Sequence, residues 1–110
     1  MGQSLGEPSA AIRGRVQAAR QVQQERFAGS GIYANAAMQS KQLRQHCPLA
    51  GEVRELLRTA IQQLGLSARA YDRILKLSRT IADLASSAAI RMEHVAEAIQ
   101  YRTLDRKLWG

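Results

Sequence analysis

Residues 66–84 read LSARAYDRILKLSRTIADL, and this stretch decides the fold. Tyr71, Ile74, Leu75, Ser78, Ile81, Ala82 and Ala85 recur at spacings of three and four, the period of a helix with one buried stripe. Arg69, Asp72, Arg73, Lys76, Arg79 and Asp83 then fall on the other side. There Asp72 with Lys76, and Arg79 with Asp83, stand four residues apart and can pair. Ser67 is placed to cap the helix, with Leu66 and Tyr71 at the two apolar positions that clamp such a cap. The spacing predicts a helix from Ala68 to about Ser86.

Upstream, Val53, Leu56, Leu57, Ala60, Ile61 and Leu64 carry a second strong helical period, predicting a helix over Leu49–Leu64. Gly65 follows where a left-handed cap would end it. Leu57, Ile61, Ile74 and Ile81 are the expected contact between these two helices. Pro48 closes a shorter segment running from Asn35, a candidate cap, through Lys41, Leu43 and Arg44 to His46. Gly29-Ser30-Gly31 breaks a first helix that starts at Ser9 and reaches about Ala28. Its stripe is thin: Ile12, Val16, Ala19 and Val22, with Arg13, Gln17, Arg20 and Gln24 on another face. A last helix spans about Met92–Arg102, with Met92, Val95, Ala96 and Ile99 inward, before a short amphipathic tail, Thr103–Gly110. Residues 1–8 read as a flexible lead-in or linker remnant, and residues 9–110 as one domain. No segment has strand period and no repeat is visible. The expectation is all-α, a bundle of four to five helices.

Composition agrees. A chain of 110 residues holds one domain, and aromatics make up only 5%, so Leu, Ile, Val and Ala must fill the core. The net charge is +7: six basic and two acidic residues up to position 50, ten and seven after it. That excess suits phosphate, nucleic acid or an acidic protein, and equally a merely cationic surface. One cysteine, Cys47, forms no internal disulfide and fits a reducing compartment. No stretch reads as a signal peptide or a bilayer span, and Gly6 stands where myristoylation wants Ser or Thr. The expected location is the cytoplasm, away from membranes.

The residues exclude most chemistry. No Gly-rich loop ends in Lys-Ser/Thr, so there is no phosphate cradle of that type. His46 and Cys47 are adjacent, which is poor spacing for a metal pair, and the remaining histidine, His94, has no partner cluster. The chain alone holds no complete catalytic site. One feature breaks a local rule. Arg69 takes the second position of its helix, where the positive end of the dipole disfavours a cation, and no acid stands in that first turn. Helix N-termini bind anions through free N–H groups, and an arginine beside one can fork two bonds to a phosphate. The same residues allow a helix-turn-helix, 49–64 and 68–86 around Gly65-Leu66-Ser67, reading bases with Arg69, Asp72 and Arg73.

The string 66–84 resembles the signature of the C-terminal domain of magnesium-chelatase-like AAA+ ATPases, within the competence-protein ComM-like (YifB-like) group. Residues 12–26 resemble that domain's lead helix, Asn35-Ala36-Ala37-Met38 its loop, and 94–102 its last helix, so the resemblance covers about residues 9–106. It implies a helical lid on an ATPase core of the same polypeptide, a core that would bring the phosphate loop, ATP and magnesium. It implies that Arg69 is the sensor-2 arginine, reaching the γ-phosphate, with Arg73 as a supporting basic residue. It also implies ring assembly with neighbouring subunits, commonly a hexamer, and DNA branch migration during transformation. Arg91 departs from the pattern by standing where a Ser or Thr cap is expected, a loss of about 1 kcal/mol.

Overall fold

The computed structural model describes residues 9–109, with side chains for residues 9–101. Five α-helices follow in order: α1 (Ser9–Arg26), α2 (Ser40–His46), α3 (Gly51–Leu64), α4 (Ala68–Leu84) and α5 (Met92–Trp109). A single 3-10 turn, Asn35–Ala37, lies between α1 and α2, and no strand occurs among the described residues. The all-α expectation holds. Residues 1–8, read above as a lead-in, lie outside the described residues.

The helix ends follow local chemistry. Gly65 adopts φ 64°, ψ 36°, the left-handed conformation that glycine enters without steric cost. There the Leu66 N–H donates to the Ile61 carbonyl at 3.0 Å, closing α3. Ser67 is extended, and its Oγ accepts from the Ala70 N–H at 3.2 Å. Leu66 and Tyr71 pack, half-buried, against the core on either side of this cap. At α5 the hydroxyl half of a capping box is missing and only its reciprocal half is made. The Arg91 N–H donates to Nδ1 of buried His94 at 2.9 Å, which satisfies a backbone donor the arginine side chain cannot. α3 starts at Gly51, two residues later than the sequence suggested, and α4 stops at Leu84 rather than Ser86, which takes φ 57°. Two other expectations fail. Asn35 caps no helix: it opens the 3-10 turn, and α2 begins afresh at Ser40. The chain after Arg102 does not leave the helix, because α5 continues to Trp109.

α4 is the central element, in contact with α1, α2, α3, α5 and the 3-10 turn. Its buried residues are Ala70, Ile74, Leu75, Ser78, Arg79, Ala82 and Asp83. The buried face is therefore rotated from the one read in the sequence. Ile81 is half-buried and Ala85 exposed, while the row Leu75, Arg79, Asp83 turns inward. Leu57 and Ile74 are buried as expected, and Ile61 is half-buried against the same core. α5 shows a similar rotation. Val95 is buried and Ile99 half-buried, but Met92 and Ala96 are exposed while His94 and Ala98 face the core. α1 buries only Ala19. Ile12 and Val22 are largely exposed, and the inward row runs through Val16, Ala19, Gln23 and Arg26. Burying a branched apolar side chain stabilises by about 1.5–3 kcal/mol, so α1 draws little from burial along its length.

Candidate functional site

Two places on α4 carry chemistry, one at each end. At the N-terminus, Arg69 is the second helical residue and is exposed, and the first turn holds no acidic residue. By helix geometry the Ala68 and Arg69 N–H groups have no intrahelical acceptor, while Ser67 Oγ takes the Ala70 donor. Arg73, also exposed, lies four residues on and so on the same face. Among the described residues neither arginine is held by an ion pair or a side-chain hydrogen bond. Lys76 continues the row, with Nζ donating to the Ala36 carbonyl at 3.3 Å. It therefore does not pair with Asp72, as its spacing had suggested. The result is a cationic, open helix end with free backbone donors, an arrangement able to meet a phosphate oxygen.

The C-terminal half of α4 holds a cluster that the sequence reading placed in solvent. Arg79 and Asp83 were expected to project outward; both are 3% exposed. They do pair, Arg79 Nε to Asp83 Oδ1 at 3.2 Å, but inside the molecule. The reason is the company they keep. Arg26, from the end of α1, donates from Nη1 and Nη2 to the two Asp83 oxygens, each at 2.8 Å. Asn35 joins its amide to both partners: Oδ1 accepts from Arg26 at 2.9 Å, and Nδ2 donates to Asp83 Oδ2 at 2.9 Å and Thr80 Oγ1 at 3.0 Å. The Asn35 backbone N–H donates to Gln23 Oε1 at 3.1 Å. Arg79 donates from Nη2 and Nη1 to the Ser87 and Ala88 carbonyls, at 2.9 and 3.2 Å, while its buried Nε faces Asp83 as an ion pair without a hydrogen bond. With so many partners supplied, burial of three charges becomes tolerable.

Titration follows this geometry. Burial pushes the Asp83 carboxyl up, but hydrogen bonds from Arg26 and Asn35, with the charges of Arg26 and Arg79, outweigh it and hold Asp83 below the ordinary carboxylate value. The bond to Asp83 raises Arg26, against the opposing effect of burial. Burial lowers Arg79, in spite of Asp83. Nearby, burial pushes the Cys47 thiol up to about 11. His46, which stacks edge-on against Phe27 at 5.4 Å, is lowered by burial and by the charges of Arg26 and Arg79.

A signal for this cluster was present in the spacing. Tyr71, Leu75, Arg79 and Asp83 form one i, i+4 row, and its first two members are apolar. Periodicity read on apolar residues alone stops at the charges. No carboxylate, histidine or cysteine cluster of metal-binding size occurs among the described residues. Nor is any described helix long and apolar enough to cross a membrane.

The decisive comparison is with known families. Residues 6–102 match the family described as magnesium chelatase, subunit ChlI C-terminal. The chain belongs to this family. As a magnesium chelatase C-terminal domain it is 46% identical over 103 residues to the competence protein ComM of Haemophilus influenzae, covering 94% of this chain and 19% of that protein. It is 43% identical to the uncharacterized protein YifB of Escherichia coli, covering 94% of this chain and 20% of the relative. YifB of Salmonella typhimurium is 37% identical over 96% of the chain and 20% of its own length. The domain thus spans about a fifth of the length of these relatives, corresponding to their C-terminal part.

Proposed function

We propose that this domain is the C-terminal helical lid of a AAA+ ATPase, and that Arg69 is its sensor-2 arginine. The observation that carries the reading is the open N-terminus of α4. A cation stands there against the helix dipole, exposed and unpaired among the described residues. Held by a central helix, it is well placed to answer a negative charge brought by another part of the protein. On this reading ATP and magnesium belong to a core in the same polypeptide, within the four-fifths of the relatives' length that this chain does not cover. The chain has the right groups for a phosphate oxygen, a guanidinium beside free N–H donors. It has no carboxylate cluster for magnesium among the described residues. Arg73, one turn further, supports the same face.

The lid works by differential contact. Arg69 gains a bond in the ATP-bound state and loses it after hydrolysis, so nucleotide state biases the angle between lid and core. A ring of subunits, commonly six in this family, would share that motion. The relative named competence protein ComM supports a part in competence, and on this reading the motor processes DNA in the cytoplasm. A helix-turn-helix is disfavoured by the central position of α4, whose middle and end are enclosed by the other helices. The net charge of +7 still supports weak, salt-sensitive DNA binding without sequence preference.

The test is Arg69→Ala in the full-length protein. ATP hydrolysis should fall roughly ten- to a thousandfold, below the full loss expected for an arginine finger. Arg69→Lys should rescue poorly, since an ammonium cannot make the forked contact. Arg73→Ala is the control one turn away. Equal, mild effects from both alanine variants would end the sensor reading.

A further inference from the structure

α1 buries little of its length. Ala19 is its one buried residue, and its first half is exposed apart from half-buried Val16. At its last turn the attachment changes character. Gln23 accepts from the Asn35 backbone, Arg26 grips Asp83 with both Nη atoms, and the following Phe27 enters the core.

An apolar seam holds two helices by close packing, whose individual contacts have no bond direction. A planar fork on a carboxylate has one in-plane arrangement, and rotation or translation of either helix breaks both bonds. Asn35 locks that plane by bonding to the arginine and the aspartate together. Arg79 extends the grip to the Ser87 and Ala88 carbonyls, in the turn that leads into α5. Four pieces of backbone therefore meet on one carboxylate: the end of α1, the 3-10 turn, α4 and the α4–α5 turn. Buried ion pairs contribute little net stability compared with apolar side chains of the same size. What this one adds is a single geometry.

We infer that the Arg26–Asn35–Asp83–Arg79 cluster is a rigid joint that fixes the direction of α1 against α4, with Arg26 and Asn35 as positioning residues. A displacement of α1 is then carried into α4 as rigid-body movement, not absorbed by slippage at their contact. Its relevance to Arg69, at the far end of α4, rests on the lid reading above; the joint itself does not.

The experiment uses this chain with spin labels on two exposed positions, Gln17→Cys on α1 and Arg73→Cys on α4. Buried Cys47, its thiol raised to about 11, stays unlabelled in the folded protein. The expected result is one narrow interlabel distance distribution. Arg26→Lys keeps the charge and loses the fork, and should broaden that distribution roughly twofold while circular dichroism stays helical. An unchanged width in both Arg26→Lys and Arg26→Gln would overturn the joint, leaving apolar packing as the holder of α1. Hydrogen exchange on the unsubstituted chain gives a second test that no folding defect can obscure. The amides of residues 19–26 and 80–84 should open together, with the same free energy. Opening of α1 on its own, well before the end of α4, would also overturn the proposal. Neither measurement involves ATP, so a failed hydrolysis test at Arg69 and a failed joint are separate results.

Discussion

The two ends of α4 use the same residue types for opposite purposes. At the N-terminal end Arg69 and Arg73 stand in solvent with no partner among the described residues. At the C-terminal end Arg79 is buried, paired with Asp83 and bonded through Nη1 and Nη2 to the Ala88 and Ser87 carbonyls. The difference teaches that a helical arginine is defined by what other elements bring to it. Arg26 and Asn35 come to the C-terminal end and convert charge into architecture. No described side chain bonds to Arg69 or Arg73, which leaves their charge available to a partner.

The strongest way to break this contrast is to remove the shared carboxylate. Asp83→Ala leaves Arg26 and Arg79 without a counter-ion in a closed site and should cost about 3–5 kcal/mol in urea unfolding. A loss under 1 kcal/mol would show that water reaches the cluster and that the two ends differ less than their burial implies. Next comes the apolar core between them. Ile74, 1% exposed, lies on the face of α4 between the two sites. Ile74→Ala should cost about 2–5 kcal/mol, a large share of the stability of a domain this size. An unchanged thermal midpoint would mean that the buried face has been misplaced.

Acid should sharpen the comparison. Asp83 has a folded-state pKa held below its unfolded value, so its stabilisation is complete above the unfolded pKa near 4. It is lost as pH falls through the lowered folded value. The thermal midpoint should therefore drop as pH falls below about 5, and Asp83→Asn should flatten that dependence. A slope identical in the two proteins would assign acid sensitivity to other carboxylates. The smallest effect belongs to the open end. Arg69→Ala and Arg73→Ala should each change the stability of the domain by no more than about 0.5 kcal/mol. A larger loss at Arg69 would mean that it has a structural partner after all, and would weaken its proposed role as a nucleotide sensor.

Much of the framework was legible in the chain itself. The four-residue rows of α3 and α4, the left-handed glycine at 65 and the serine cap at 67 are local features, determined within a few residues by period and backbone sterics. They sufficed for an all-helical domain and for Arg69 at a helix start. The helix start at Arg91 was half legible. The loss of a hydroxyl cap could be read from the residue type, but the bond from the Arg91 N–H to His94 needed the geometry of the first turn.

Tertiary structure alone decided the rest. Arg79 and Asp83 look like an ordinary surface pair at four-residue spacing, and in isolation water would solvate both. They turn inward because Arg26, 57 residues before Asp83 in sequence, and Asn35, 48 residues before it, supply bonds that replace that water. The thin stripe of α1 was misread past Ala19 for the same reason. What holds its C-terminal end is a polar contact formed at long range, and apolar periodicity has no term for a charge that becomes buried only once its partners arrive.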